Sequence, residues 1–564
     1  MKGRATSSAQ ASGTRAPFTP TWCMMDEGGD VAWELPDHPP WVRVIEAPAY
    51  FAFHDWHATM LAWIFHPERN SSSIRRGEIW QEKSWDVHME EGMTLRYQCV
   101  RRLLPRRVHI DRGMLQECTI QHDGSGRGSV VYTTLRVSDQ AHESPDPGVL
   151  DKPYNANDWP KQNEVPFYHP DVRAVAFRYQ PQAQSDADGA PQGLVRVDFV
   201  LFPSDGTRVL PTSRLGRTAM SLLRLMHQHS VGHASSYVKR VHHDILVPRD
   251  AYQDLYLHLR SKYAGPVIEA WPEVTDPKKH VFEDIGIAAW LILLWRAMFP
   301  VETQHAWPHS ARCGGIWGHP PGGFVDVGCG NGLLVHLLTQ EVRHSDSQQG
   351  YHGYGFDGRA RKSWPLYEQA GARLQVHWFD PAEIASTDDS SAKASGLPTG
   401  SFLIGNHADE LTPWVPVLAA RTPACTGFVN IPCCAWTLEG QRFVPSKSTL
   451  DDSMLAAWLH VDQIPEQSMP PVPLMQPSRN WTERLTHLGW FAHRATTPSE
   501  QGTLHSKHLA YNMYIASLHI RSGWNLETEA LRIPSTKNMA FVARVRLREA
   551  LDENSCRTII QDTI

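Results

Sequence analysis

A glycine-rich segment over residues 326–332, with the sequence DVGCGNG, is the first part of the chain whose residue types and spacing could do chemistry. It stands between an apolar stretch typical of a β-strand and the apolar residues 333–338, which predict a helix. Glycines let the backbone turn tightly into that helix and approach a ligand closely. The free amides at the start of the helix can then bind a carboxylate or a phosphate. We therefore predict a ligand site that includes Gly328, Gly330, Asn331 and Gly332.

Two acids distinguish this turn from a dinucleotide site. Asp326 lies two residues before Gly328, where its carboxylate can meet the ammonium group of an amino acid but would repel a pyrophosphate. Asp357 closes the next predicted strand, where an acid typically accepts hydrogen bonds from both ribose hydroxyls; a capped turn is the alternative interpretation. No Walker-type phosphate motif occurs in the sequence. The combination favours S-adenosylmethionine as the cofactor, with Asp380, at the end of the following predicted strand, as a further binding residue.

The elements that must position these residues alternate between strands and helices. After an apolar helix over residues 281–299, strands are predicted within residues 322–340, 351–357, 373–380, 401–410 and 427–436, with helical stretches between them. Alternating strands and helices imply βαβ units and a largely parallel sheet. The predicted fold class is therefore α/β, a Rossmann-like S-adenosylmethionine-dependent methyltransferase domain over residues 266–547.

The first half of the chain mixes strands and helices in a different order. Strands are predicted at residues 172–179 and 194–202, and helices at residues 214–229 and 249–263. We predict an α+β N-terminal domain over residues 31–265. A disordered tail at residues 1–30 precedes it, and residues 548–564 form a C-terminal tail.

Composition limits the class of protein. The chain has 54 basic and 60 acidic residues, a net charge of -6, so any contact with RNA must come from local basic patches. Its nine cysteines include no C-x-x-C pair, which favours reduced thiols in a cytoplasmic protein with no metal site. The longest apolar run, residues 285–294, is well short of the roughly 20 residues that span a bilayer, so we expect no membrane partner.

Several longer motifs resemble one known family. They are FVDVGCGNGLLVHLLTQE, GYGFDGRARKSW, FLIGNHADELTPWVP, NIPCC and LRIPSTK in the second half, and HPERNSSSIRRGEI, RRLLPR and YVKRVHHDILVP in the first. Together they extend over most of residues 40–545 and resemble the tRNA (uracil-2'-O-)-methyltransferase family. The resemblance implies methylation of the ribose of uridine 44 in serine tRNA. It also implies tRNA rather than DNA as the partner, docked on the N-terminal domain, and leaves room for an accessory protein.

Four polar residues come at the end of the fourth strand predicted in the methyltransferase domain. They are Asn406, His407, Asp409 and Glu410. In an open α/β sheet, ligands bind beyond the carboxyl ends of the strands. Methylating a ribose hydroxyl requires alignment of its oxygen with the methyl group and removal of its proton. We expect Asp409 or Glu410 to accept or orient that proton, with His407 as the rival base and Asn406 against the cofactor. The two acids could instead cap the helix that starts there.

Basic residues supply the remaining candidates. Lys362 and Lys537 could each stabilise the developing alkoxide or bind a phosphate. The candidate RNA-binding residues are Arg75, Arg76, Arg101, Arg102, Lys239, Arg240 and Lys537. Such groups position an RNA through its phosphates without reading its bases. For each of them, a solvated surface charge is the alternative.

Two other classes of function remain open from the residues. One is a different methyl acceptor, such as a pyrimidine ring carbon or a protein side chain, and the other is a catalytically silent protein. Cys433 and Cys434 follow Ile431 and Pro432, and a thiolate there could attack C6 of a pyrimidine and make C5 the methyl acceptor. Packed thiols at the end of a strand are the alternative interpretation of these cysteines. A catalytically silent RNA-binding relative would keep the fold without the reaction.

Overall fold

A computed structural model describes most of the 564-residue chain. The described residues are 17–23, 41–83, 87–88, 94–107, 110–135, 160–182, 190–205, 208–235, 243–299, 318–341, 353–378, 396–444 and 507–546. The chain divides into two compact units, Met1–Val238 and Lys239–Ile564. We call them the N-terminal unit and the C-terminal unit, and each has its own sheet and core.

The N-terminal unit is built on an antiparallel sheet. Its strands are β1 (Thr21–Trp22), β2 (Val42–Ala49), β3 (Ile74–Lys83), β4 (Val87–His88), β5 (Thr94–Pro105), β6 (Met114–His122), β7 (Gly128–Leu135), β8 (Ala174–Pro181) and β9 (Gly193–Val200). They lie in the order β1-β2-β9-β8-β7-β6-β5-β3, with β4 beside β5. The two strands predicted from the sequence are β8 and β9, which pair with each other.

Two helices, α1 (Phe53–Phe65) and α2 (Arg214–Ala234), pack on this sheet. Their apolar residues, among them Trp56, Trp63 and Leu223, join strand residues such as Phe177 in one buried cluster. The Ser213 Oγ atom caps α2 by accepting a hydrogen bond from its first turn. The unit is therefore an α+β domain, as the sequence predicts.

The limits of the N-terminal unit differ from the predicted ones. Strand β1 lies within the predicted disordered tail at residues 1–30, and it pairs with β2 while Trp22 packs against the core. The division at Val238 comes before the predicted boundary at residue 265. The reason is that α3 (Arg249–Glu269) belongs to the C-terminal unit, where it packs on α4 (Pro277–Met298). The predicted tail at residues 548–564 lies outside the described residues.

The C-terminal unit contains a mixed sheet. Its strands are β10 (Phe324–Val327), β11 (Tyr354–Asp357), β12 (Leu374–Val376), β13 (Phe402–Asn406), β14 (Gly427–Ile431), β15 (Glu527–Ala530) and β16 (Met539–Ala543), in the order β12-β11-β10-β13-β14-β16-β15. β10 to β14 are parallel, and β16 is antiparallel to both of its neighbours. The strand order reverses between β10 and β13, which is where an open α/β sheet binds ligands.

Helices cover both faces of this sheet. They are α3, α4, α5 (Leu333–Glu341), α6 (Trp364–Gln369), α7 (Val415–Arg421) and α8 (Lys507–Arg521). Successive strand residues alternate between two apolar clusters: Phe324 packs with α3 to α6, and Val325 packs with α7 and α8. This layered arrangement confirms the predicted α/β class. No helix among the described residues is both long and apolar enough to cross a membrane.

Candidate active site

The glycine-rich turn joins β10 to α5 at the carboxyl end of β10. Gly328, Gly330 and Gly332 have positive φ angles of 72°, 52° and 77°. A Cβ atom at Gly332 would also lie 2.7 Å from Leu374 Cδ1, so glycine is required there. Apart from Gly330 itself and its two chain neighbours, no described residue has an atom within 4 Å of the position that a Cβ atom at Gly330 would take. The turn therefore leaves space at Gly330 for a ligand to approach the backbone.

Asp326, in β10, is a buried acid at the start of this turn. It is 1% exposed, and its Oδ1 atom has no hydrogen-bond partner among the described residues. Burial, together with the charges of Asp284 and Asp357, raises the pKa of Asp326 well above its usual range. A buried polar group without a partner is costly unless a ligand pairs with it. The cationic amino acid portion of S-adenosylmethionine fits this requirement.

Asp357 borders the glycine-rich turn, and Asn331 lies within it. Asp357 Oδ2 accepts a hydrogen bond from the Gly330 backbone N at 3.0 Å, so this acid borders the turn. Asn331 Oδ1 accepts a hydrogen bond from the Leu333 backbone N at 2.8 Å and caps the first turn of α5. The Asn331 side chain therefore positions the helix, and its contact with a cofactor remains a prediction.

Two acids that the sequence analysis did not single out lie in the buried helix α4. Glu283 and Asp284 are 7% and 9% exposed. Asp284 Oδ1 lies 3.5 Å from its hydrogen-bond donor, Asn406 Nδ2 at the end of β13. Burial and the charge of Glu283 raise the pKa of Asp284 to about 8. A signal for these acids exists in the sequence, because adjacent carboxylates in an apolar helix need polar partners or a ligand.

His407 follows β13 and pairs with the other acid of α4. Its Nε2 atom lies 3.2 Å from Glu283 Oε1. Because a carboxylate only accepts hydrogen bonds, Nε2 carries the proton of this pair and Nδ1 can act as an acceptor. His407 Nδ1 is buried and has no hydrogen-bond partner among the described residues. Burial acts to raise the pKa of Glu283, but the hydrogen bond and charge of His407 outweigh it and hold that pKa below its usual range.

The two acids expected to act as the base lie further out. Asp409 and Glu410 begin a 3-10 helix over Asp409–Trp414, and both are exposed. Asp409 Oδ1 accepts a hydrogen bond from Cys433 Sγ at 3.1 Å. His407, predicted from the sequence as the rival base, is thus the candidate that shares a hydrogen bond with a buried acid, Glu283.

Lys362 lies in the loop before α6 and is exposed. The next residue, Ser363, is buried, and its Oγ atom lies 2.7 Å from the backbone oxygen of Asn331. The loop is therefore attached to the glycine-rich turn, although Lys362 itself faces solvent. Asp380, the remaining cofactor-binding candidate, lies outside the described residues.

Lys537 lies in the loop of the β15–β16 hairpin and is half-buried. Ser535 of the same loop forms a side-chain hydrogen bond with Glu283. The hairpin loop therefore extends to the pair that Glu283 makes with His407. This places the LRIPSTK motif beside the candidate active site, a proximity that its position in the sequence does not reveal.

Arg101 does not have the surface position that an RNA contact requires. It is 2% exposed in the N-terminal unit. Its guanidinium donates to the backbone oxygens of Trp63 and Ile64 at 2.7 and 2.6 Å and to Gln116 Oε1 at 2.6 Å. These bonds satisfy the end of α1, where helix carbonyls lack partners within the helix. The prediction that Arg101 binds RNA is corrected to a structural role.

The other basic candidates differ in how far their side chains are available to contact RNA. Arg76 is 6% exposed and donates through Nε to Glu78 at 3.1 Å, so its charge is already paired. Arg75 is half-buried on the same strand. Arg102 is also half-buried and lies over the Trp80 ring, with 5.6 Å between the guanidinium carbon and the ring centroid. The two candidates Lys239 and Arg240 lie outside the described residues.

Comparison with known proteins agrees with this geometry. Residues 20–240 match a family model described as "TRM44-like, N-terminal bet v1-like domain", and residues 246–378 match one described as "Predicted AdoMet-dependent methyltransferase". The second match contains the glycine-rich turn, Asp357 and both acids of α4. It confirms the methyltransferase domain and S-adenosylmethionine as its cofactor.

Relatives named tRNA (uracil-O(2)-)-methyltransferase match most of the chain. The Schizosaccharomyces pombe protein is 31% identical, over 94% of this chain and 90% of its own length. The Neurospora crassa protein is 33% identical, over 86% and 83%, and the Yarrowia lipolytica protein is 30% identical, over 80% and 71%. The chain belongs to the tRNA (uracil-O(2)-)-methyltransferase family.

Proposed function

We propose that this protein transfers a methyl group from S-adenosylmethionine to the 2'-hydroxyl of a uridine ribose in tRNA. In its finer form, the proposal is that the substrate is uridine 44 of serine tRNA and that the reaction takes place in the cytoplasm. The names of the relatives support the reaction class. The observation that carries the chemistry is the pair formed by His407 and Glu283 at the carboxyl end of β13. In the same unit, the buried Asp326 has an Oδ1 atom with no hydrogen-bond partner among the described residues.

The cofactor would be held by groups around the glycine-rich turn. Asp326 would pair with its ammonium group, Asp357 would bind its ribose hydroxyls, and the backbone at Gly330 would lie against it. When bound, S-adenosylmethionine supplies an electrophilic methyl group attached to a sulfonium. Asn406 would also contact it, because its Oδ1 atom is buried without a partner among the described residues.

The proton of the ribose hydroxyl would pass to His407. Its Nδ1 atom is the acceptor that the hydrogen bond to Glu283 leaves available. Glu283 orients the ring and stabilises the positive charge that the ring gains with the proton. A positioned base of this kind contributes roughly a hundredfold or more to the rate. Asp409 and Glu410 stay predictions as proton acceptors; we prefer His407 because it pairs with the buried acid Glu283.

Each unit by itself offers basic groups that could contact the RNA. Arg102 over Trp80 presents a cation beside an aromatic surface. In the C-terminal unit, Lys362 is exposed in the loop attached to the glycine-rich turn, and Lys537 belongs to the hairpin loop that contacts Glu283. Each lysine could contact a phosphate next to the modified nucleotide.

The test is methyl transfer to unmodified tRNA, followed by nucleoside analysis. The purified chain is incubated with labelled S-adenosylmethionine and with serine tRNA, and a second tRNA species serves as the control. Appearance of 2'-O-methyluridine at position 44 of serine tRNA alone is the expected result. Label on C5 of uracil would contradict the proposal and favour the ring-carbon mechanism. The structure disfavours that mechanism, because burial and the neighbouring Asp409 raise the pKa of the Cys433 thiol.

If the chain binds the cofactor but transfers no methyl group, one further experiment is needed. The reaction is repeated with extract from a cell that contains the modified tRNA. Transfer with the chain and extract together, and none with extract from which the cell's own methyltransferase has been removed, would indicate the accessory protein that the resemblance allows. No transfer in either arm, with the cofactor bound, would identify the chain as a silent RNA-binding relative.

A further inference from the structure

Asp409, Cys433 and Cys434 form a cluster of metal-ligating groups that the proposed methyl transfer does not use. Each residue offers one ligand atom, and these three atoms lie within 4.8 Å of one another. Among the residues that the structure describes, no other group of three histidines, cysteines or acids is arranged in this way. Asp409 is exposed and both cysteines are half-buried, so an ion could reach the cluster from solvent.

The fold brings these residues together at the end of two neighbouring strands. β13 and β14 run in parallel, with Asn406 opposite Ile431. The backbone N of His407 donates to the Ile431 oxygen at 3.1 Å, which keeps the two chains side by side beyond the strands. Asp409 then adopts a left-handed conformation with φ of 46°. Its carboxylate reaches Cys433 Sγ at 3.1 Å.

The cluster borders the candidate active site. Ala408, the residue before Asp409, packs against the glycine-rich turn, since a Cβ atom at Gly328 would lie 3.4 Å from Ala408 Cβ. The cluster is therefore attached to the same strand ends that hold His407 and the cofactor turn. An ion bound there would lie at the carboxyl edge of the sheet, where the substrate ribose is expected.

The donor atoms determine which ion fits. Two thiolate sulfurs and one carboxylate oxygen suit Zn²⁺, whereas Mg²⁺ and Ca²⁺ prefer oxygen ligands alone. Three protein ligands also leave one position of a tetrahedral ion open, which is typical of catalytic rather than structural zinc. The Arg442 side chain hydrogen-bonds Cys434 and so supplies positive charge beside the two thiolates.

We propose that Asp409, Cys433 and Cys434 bind one zinc ion, with a fourth position open to an oxygen ligand. On binding, each thiol gives up its proton to the solvent and its sulfur forms a bond to the metal, so that two protons leave per ion. The protonated form, in which Cys433 donates to Asp409, is the metal-free state of the same site. That the fourth ligand is a ribose oxygen of bound RNA rests on the proposed function; the zinc site itself does not.

The experiment is a zinc titration of the full chain, reduced and freed of metal, with neither tRNA nor cofactor present. Binding is measured in competition with a chromophoric chelator, and the metal content is then determined by elemental analysis. We expect about one zinc ion per chain and no competition from Mg²⁺. Calorimetry in two buffers of different ionisation enthalpy should show that about two protons are released for each ion bound. Replacement of zinc by Co²⁺ should give a thiolate-to-cobalt absorption band.

Variants test the three ligands separately. We expect each of three variants to weaken zinc affinity on the order of 100-fold or more: Cys433→Ala, Cys434→Ala and Asp409→Asn. Loss of a residue that only orients a metal ligand already costs up to about that much, and loss of the ligand itself should cost at least as much. Cys23→Ser, which changes a half-buried cysteine of the N-terminal unit, is the matched control and should bind like the original chain. Circular dichroism of each metal-free variant verifies that it is folded.

Two results would overturn the proposal. One is failure of the folded original chain to hold zinc against the chelator. The other is equal zinc affinity in the original chain and in the Cys433→Ala/Cys434→Ala double variant, which would locate the ion elsewhere. No RNA takes part in the zinc titration. A chain that binds zinc but transfers no methyl group would therefore refute the proposed function and leave the zinc site standing.

Discussion

Glu283 of α4 and His407 at the end of β13 are 124 residues apart in the sequence, yet their side chains meet at 3.2 Å. The helix and the strand thus each supply half of a carboxylate–imidazole pair. In such a pair the carboxylate fixes which ring nitrogen carries the proton, and the other nitrogen becomes the acceptor. The chemistry proposed for this protein depends on that tautomer.

Replacing His407 by alanine should lower kcat for tRNA methylation by about 100-fold, because a positioned proton acceptor is lost. Binding of S-adenosylmethionine should stay within about threefold, a change of less than 1 kcal/mol. Added imidazole should restore part of kcat. His258→Ala, at an exposed position of α3, is the control. Unchanged kcat in His407→Ala would exclude His407 as the base, whereas a parallel loss of cofactor affinity would indicate a structural role.

Replacing Asp326 by asparagine should weaken cofactor binding on the order of 10- to 100-fold, because a hydrogen bond to a charged group is lost. The free energy of unfolding without cofactor should not fall, since the buried acid has no hydrogen-bond partner at Oδ1 among the described residues. Calorimetric titration with S-adenosylmethionine and urea denaturation measure the two effects. Glu368→Gln, on the exposed side of α6, is the matched control. A loss of stability equal to the loss of affinity would mean that Asp326 only supports the fold.

Asp284 should make the stability of the C-terminal unit depend on pH. Its pKa is about 8 in the folded chain against 3.8 for an ordinary aspartate, so the folded state binds the proton more tightly than the unfolded state. The stability it contributes is complete below about pH 4 and is lost as pH rises through about 8. Urea denaturation between these limits should show less pH dependence in Asp284→Asn. An identical pH profile in the variant would place the titration on other groups.

Arg101 and Arg102 should behave differently although they are neighbours. Arg101→Met should lower the free energy of unfolding of the N-terminal unit by about 3 kcal/mol, because the buried carbonyls of Trp63 and Ile64 lose their donor. Arg102→Gln should change that free energy by less than about 0.5 kcal/mol. It should instead reduce the salt dependence of tRNA binding by about one unit of slope. Thermal denaturation and filter binding at several salt concentrations check both, and an Arg102 variant with an unchanged slope would exclude the contact.

The sequence predicts the parts of this protein whose signals are local. The glycine-rich turn, the parallel strands around it and the acid that ends β11 follow from spacing and alternation of residue types. The β15–β16 hairpin has no such signal, because β15 has the sequence ETEA and lies more than 90 residues after β14. Its place in the sheet comes from pairing with β16, a contact between distant parts of the chain.

The identity of the base likewise cannot be predicted from local sequence signals. His407, Asp409 and Glu410 follow one strand, and spacing alone cannot rank them. What separates them is Glu283, which lies on α4 and reaches His407 only after the helix packs on the sheet. Likewise, Arg101 belongs to a basic cluster in the sequence. In the fold it is buried in the N-terminal unit, where its guanidinium donates hydrogen bonds to backbone carbonyl groups of α1.

The position of β16 between β14 and β15 has a consequence for synthesis of the chain. β14 ends at Ile431 and its second neighbour begins at Met539, so a growing chain exposes one edge of β14 until more than a hundred further residues have been made. An unpaired strand edge is a template for association with other chains. Pairing with β16 therefore covers this edge, and we expect a chain truncated before β16 to keep the edge of β14 open to association with other chains.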